Sequence, residues 1–225
     1  VERVSALVGR VTPGVFSAVA ANRPELRRYY LAVIEGLAVI TFPAAAGIAL
    51  TAPVLVPVAL GPQWANAVLP LQLLAMYGGI RSIDTVTPQV LIYTGHSRYS
   101  MWYTVAAAVV LPILFFLGTR WGAAGVAAVW ILAYPVVVLP AYRLVFRILD
   151  LSPGVYLRNL WPAASGTAVM TLAVLAVRAV LPVAARARST LGAEVATGVA
   201  VYATVMWTLH RDRVRAFLAL ARGGQ

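Results

Sequence analysis

The chain has 225 residues, of which 61% are hydrophobic and 11% charged. A soluble globular domain carries about 25% charged residues, so this chain cannot face water all round and reads as a polytopic membrane protein. It has no Cys, which excludes disulfides, thiol catalysis and Cys-metal sites, and its formal net charge is +11.

A membrane helix needs about 20 apolar residues at about 1.5 Å rise each. The chain opens "VERVSALVGR" with neither initiator Met nor signal peptide, and is expected to belong to a longer reading frame. Its first apolar run, Val4 to Ala20, holds Arg10 and Pro13 and reads as the end of a helix that begins upstream. The basic loop "ANRPELRRYY" follows. Pro24 and Glu25 suit a helix start, predicting a second helix from Glu25 to Thr51. Pro53, Pro57, Gly61 and Pro62 are then expected to break it, with Trp64 at the interface.

A third helix is predicted from Ala65 to Thr94, a fourth from Tyr99 to Leu117 and a fifth from Ala123 to Phe146. The link "RILDLSPGVYLRN" offers Asp150 and Ser152 as caps. A sixth helix is predicted from Leu160 to Leu181 and a seventh from Leu191 to Leu209, followed by a basic amphipathic tail. The fold class is therefore all-α, a polytopic helix bundle with about six full transmembrane helices plus the end of one more. No repeat, heptad or barrel alternation is present.

All 18 basic residues are Arg. With alternating helices, Arg23, Arg27, Arg28, Arg98, Arg143, Arg147, Arg158 and the tail arginines fall on one side. Arg120, Arg186, Arg188 and Arg178 fall on the other. The richer side is expected to be cytoplasmic, with the C-terminus there too. Arginines beside apolar runs are explained by topology and lipid headgroups, and no aromatic-plus-basic groove for nucleic acid is seen. Trp64, Trp102, Tyr103, Trp121, Trp161 and Trp207 lie near run ends, as an interfacial belt requires.

The third helix carries the oddity. Arg81 and Asp84 lie near its midpoint. An unpaired charge at that depth costs at least about 2.5–3.5 kcal/mol, so such residues face a bundle interior or a wet cavity. Asp84 is three residues from Arg81 and can pair with it. At 100° per residue Tyr77, Gly78, Arg81, Asp84, Thr85 and Pro88 form one stripe. Pro88 cannot donate to the carbonyl of Asp84, so a kink falls beside the charges. Two readings are open: an internal ion pair, or a substrate pathway with Arg81, Asp84, Tyr77 and Thr85 as binding residues. Glu35 either pairs with an Arg such as Arg28 or, with Asp84, is an ion-coupling candidate. The prolines Pro43, Pro112, Pro135 and Pro140 favour a bending bundle. There is no phosphate-binding Gly loop, zinc motif or nucleophile triad, so no enzyme activity, cofactor or metal is expected.

The stretch "RVTPGVFSAVAANRPELRRYYLAVIEGLAVITFPAAAGIALTAPVLVPVALGPQWANAVLPLQLLAMYGGIRSIDTVTPQVLIYTGHSRY" resembles the C-terminal half of polysaccharide-exporting flippases. These are the Wzx-like and teichuronic-acid-exporter-like members of the multidrug/oligosaccharidyl-lipid/polysaccharide superfamily. The resemblance rests on the loop before "PELRR", on Pro43 in "TFPAAAGIAL", on "GPQW" opening a long helix, on "LQLLAMYGGIRS" and on "YTGHSRY". "WGAAGVAAVWILAY" also fits. Gly14 after Pro13 departs from the bulkier run of relatives, and the N-terminal lobe is missing.

The resemblance implies a two-lobed transporter of the bacterial plasma membrane. Residues 1–150 would be the C-terminal lobe, incomplete at its start, and residues 151–225 an additional helix pair and basic cytoplasmic tail. It would flip undecaprenyl-diphosphate-linked glycan units by alternating access, with Arg81 meeting the diphosphate or acidic sugars. Its partners would be the lipid-linked glycan, membrane lipids, the missing N-terminal lobe, and glycan polymerase and glycosyltransferase enzymes. The alternatives are a multidrug or small-molecule cation antiporter of the same superfamily and a non-transporting scaffold of a glycan-assembly complex.

Overall fold

A computed structural model describes residues 22–180, 188–209 and 211. The expected first helix, Val4 to Ala20, and the tail beyond Arg211 lie outside the described residues. Within them every regular element is helical: α1 (Arg23–Leu60), α2 (Val68–Asp84), α3 (Thr87–Tyr93), α4 (Ser97–Gly118), α5 (Gly122–Ile148), α6 (Pro153–Val180) and α7 (Arg188–Leu209). Short 3-10 turns, Pro62–Ala67 and Thr119–Trp121, join α1 to α2 and α4 to α5. Three stretches are long and apolar enough to cross a membrane: Arg23–Leu60, Ser97–Ile148 and Pro153–Ala179. The second holds both α4 and α5. The all-α membrane bundle expected from composition is the observed architecture.

The main departure is α1. It does not stop near Thr51 but continues through Pro53 and Pro57 to Leu60. A helical proline removes the hydrogen bond to the carbonyl four residues earlier, which in a membrane must find another donor. Neighbouring helices supply it. Pro43 frees the carbonyl of Val39, and the Tyr202 hydroxyl of α7 donates to it at 2.7 Å. Pro53 frees that of Ala49, and the Gln72 amide of α2 donates to it at 2.8 Å. With these acceptors satisfied, α1 runs on until Gly61, whose φ of +98° suits glycine.

The predicted third helix is instead two pieces. α2 ends at Asp84, and a turn at Thr85 and Val86 precedes α3, with Pro88 in the first turn of α3. The missing N–H of Pro88 falls where the Asp84 carbonyl would have been bonded, so the kink lies where the sequence puts it. α6 begins seven residues before the predicted Leu160, because Pro153 suits a first helical position and the Ser152 hydroxyl accepts the Val155 N–H at 3.3 Å.

Packing is close where residues are small. A Cβ on Gly79 of α2 would come within 3.1 Å of the Ala45 Cβ of α1. One turn away the Thr41 and Ser82 hydroxyls are hydrogen-bonded at 2.7 Å. Small residues and interhelical hydroxyl bonds are the usual contacts of helices in lipid. Gly118 and Gly125 face each other across the α4–α5 turn, where a Cβ on Gly125 would fall on the Gly118 carbonyl. Gly166 and Gly198 let α6 and α7 close on Tyr202 and Met170. The core gathers Leu26, Tyr30 and Ile34 of α1, Val90 and Leu91 of α3, Val145 of α5, and Tyr156 and Leu160 of α6. The α6–α7 pair is thus packed onto α1 rather than standing apart.

Candidate functional site

Where α2 stops, its last residue turns inward. Asp84 is 2% exposed. Its Oδ2 accepts from the Tyr134 hydroxyl of α5 and lies 3.3 Å from Arg81 Nη1. The predicted pair is therefore present, but it is a triad with a tyrosine from another helix. Burying a carboxylate is costly unless charge and hydrogen bonds compensate, and here one cation and one hydroxyl do so.

Arg81 is the half that faces out. Its side chain is 45% exposed against 3% for that of Asp84. Its guanidinium carbon sits 5.6 Å from the centre of the Tyr134 ring, in cation–π range. Tyr77, one turn before Arg81, packs edge-on to Tyr134 at 5.1 Å and against Trp130 at 4.7 Å. Phe115 of α4 closes the group at 4.9 Å from Trp130. The aromatic wall fixes α2 against α4 and α5 and leaves the Arg81 side chain half-exposed. A planar fork of N–H donors, steered by one buried carboxylate, can take a phosphate or carboxylate oxygen in bidentate fashion.

Of the predicted site residues, the structure brings Arg81, Asp84 and Tyr77 together. Thr85 does not join them. It is exposed, and its hydroxyl donates to the Ser82 carbonyl at 2.7 Å. Its backbone is still helical, but its hydroxyl is taken by that carbonyl of its own helix rather than turned to Asp84. Glu35 is half-buried on α1 and engaged in an interaction of its own. Most of the aromatic belt is exposed, including Trp64, Trp102, Trp121, Trp161 and Trp207. Tyr103 is half-buried instead, within side-chain hydrogen-bonding reach of Tyr134.

Two groups escaped the sequence reading. Tyr134 was hidden in the apolar run "WILAYPVVV", its only signal being a polar-tipped residue in mid-helix. The second is an ion pair at the far end of α6. Arg178 holds Glu194 of α7 through two bonds, Nε to Oε1 at 3.0 Å and Nη2 to Oε2 at 2.7 Å. Glu194 is 2% exposed. The same Nη2 donates to the Leu50 carbonyl of α1 at 2.7 Å. Arg178, expected to serve topology, thus also ties α6 to α7 and α1.

A family described as polysaccharide biosynthesis protein matches residues 1–69. The lipopolysaccharide biosynthesis protein WzxC of Escherichia coli (strain K12) is 24% identical over 162 residues, 71% of this chain. The chain spans about a third of the length of that relative, 33%. No solved structure matches. The family match spans "PELRR" and "GPQW", and together with the relative it agrees with the resemblance: the chain is similar to the Wzx-like polysaccharide biosynthesis proteins.

Proposed function

We propose that this chain is the C-terminal lobe of a flippase that carries undecaprenyl-diphosphate-linked glycan units across the bacterial plasma membrane by alternating access. The observation that carries the reading is Arg81: half-exposed, in the last turn of α2 beside the break before α3, held from one side by buried Asp84. A guanidinium turned to hydrocarbon would be costly, so the side it exposes is a cavity side or the face of the other lobe. In the empty state Asp84 and the Tyr134 ring restrain Arg81. An anionic headgroup entering the cavity competes with Asp84 for the guanidinium, while Tyr134 continues to solvate the Asp84 carboxylate. Tyr77 holds the height of Arg81 above this floor. Residues 1–150 form the lobe, residues 151–225 the added helix pair and tail, and the arginine bias puts the C-terminus in the cytoplasm.

The test is export of lipid-linked glycan in cells carrying single variants. Arg81→Ala should abolish export at unchanged protein level, and wild-type export in that variant would exclude the role. Arg81→Lys separates this from the scaffold reading. Lysine keeps a charge for Asp84 but loses the planar fork, so export should stay low if Arg81 meets oxyanions. Full export with lysine would favour a purely structural pair. The antiporter reading is kept by the acidic residues Asp84 and Glu35. It predicts loss of transport in Asp84→Asn with an intact response to Arg81→Ala.

A further inference from the structure

The side chains of α6 that reach the backbone of α1 follow a pattern. Asn159 of α6 donates to the Leu31 carbonyl at 2.8 Å, and Arg178 of α6 donates to the Leu50 carbonyl at 2.7 Å. The two donors are 19 residues apart on α6 (178 − 159), and the two acceptors are 19 residues apart on α1 (50 − 31). The helices therefore run parallel and in register over roughly 28 Å at 1.5 Å per residue. Between these ties Tyr202 of α7 binds the Val39 carbonyl, the one released by Pro43. Glu194 keeps Arg178 in place with two bonds while itself buried.

The braced stretch, Leu31 to Leu50, contains Pro43 but not Pro53 or Pro57. It is also the stretch against which α2 packs: Gly79 against Ala45, and Ser82 bonded to Thr41. Ser82 lies between Arg81 and Asp84 in sequence. The height and tilt of the Arg81 group are thus set by a length of α1 that the α6–α7 pair holds.

We infer that Asn159, Arg178 and Tyr202 are positioning residues. The α6–α7 pair is a splint that keeps α1 straight across Pro43, and bending of α1 is confined to the Pro53–Pro57 segment beyond the Arg178 tie. The link to transport rests on Arg81 being the substrate-facing group, but the splint itself is tested without transport.

These 225 residues hold no cysteine, so a pair of introduced cysteines can be spin-labelled once any cysteine elsewhere in the reading frame is replaced. Ala32 and Ile48 are exposed on α1 and flank Pro43, and Ile48 and exposed Leu60 flank Pro53 and Pro57. With the complete reading frame in lipid nanodiscs, the electron-spin distance distribution for Ala32 and Ile48 should be narrow. That for Ile48 and Leu60 should be at least twice as wide. Arg178→Ala with Asn159→Ala should widen the first to match the second. Arg178→Lys, which keeps a donor for Leu50, should leave it narrow. Exchanging the charges, Arg178→Glu with Glu194→Arg, keeps an ion pair but puts a carboxylate beside the Leu50 carbonyl, and should widen it. A first distribution as wide as the second in the unmodified protein overturns the splint. So does one that stays narrow in both the alanine pair and the exchanged pair. Glycan export measured on the same variants reports separately. Widening without loss of export would retain the splint and refute only its link to Arg81.

Discussion

The Tyr134 hydroxyl is the most economical point at which to test the triad around Asp84. Tyr134→Phe removes one oxygen and keeps the ring that packs on Tyr77 and lies under Arg81. The carboxylate then retains Arg81 at 3.3 Å but loses its bond from α5. A hydrogen bond to a charged group contributes about 1.5–3 kcal/mol, and a buried acceptor cannot recover that from water. Asp84 is 2% exposed, so the loss should fall in the upper part of that range. Unfolding free energies in bicelles, measured by steric trapping, would give the value. The decisive form is a double-mutant cycle with Asp84→Asn. In the neutral background the hydroxyl should contribute only about 0.5–1.5 kcal/mol, leaving a coupling of about 1 kcal/mol or more. Additivity within about 0.5 kcal/mol would refute the claim that Tyr134 solvates a buried charge.

Three further outcomes follow from the helix contacts. Gln72→Ala should destabilise by about 1–3 kcal/mol by stranding the Ala49 carbonyl. Adding Pro53→Ala, which restores the backbone donor, should recover most of the loss, and no recovery in the same unfolding assay would exclude the explanation. Gly79→Val should cost about 1–3 kcal/mol by wedging α1 from α2 at Ala45, while Gly78→Ala, where a Cβ meets open space, should be near neutral. Gly125→Ala should lower the yield of folded protein by forcing open the α4–α5 turn, and a normal gel-filtration profile and yield would count against it.

The helix bundle was legible because lipid imposes a simple rule, apolar runs of sufficient length, and the chain obeys it. The ion pair was legible too, since three residues along a helix bring Arg81 and Asp84 within reach. What failed were readings needing knowledge of neighbours. Pro53 and Pro57 look like stops in isolation and are not, because Gln72, 19 positions on, satisfies the carbonyl that Pro53 frees. Thr85 spends its hydroxyl on the Ser82 carbonyl of its own helix, a local choice that a helical wheel does not show. Tyr134 and Glu194 drew no notice because their partners lie 50 and 16 residues away, on other helices. Such pairings arise from packing, which no local pattern encodes.

The length of α1 has a consequence for the membrane around it. Thirty-eight residues make a rod of roughly 57 Å, against about 30 Å of hydrocarbon. Even at 40° of tilt such a rod still rises about 44 Å. The excess is not hydrophilic: after Arg28 the only charge on α1 is Glu35, and it ends in "APVLVPVAL". That apolar overhang must draw acyl chains up around itself or lean. The protein should therefore be sensitive to bilayer thickness, tilting further as the lipid chains shorten and standing straighter as they lengthen.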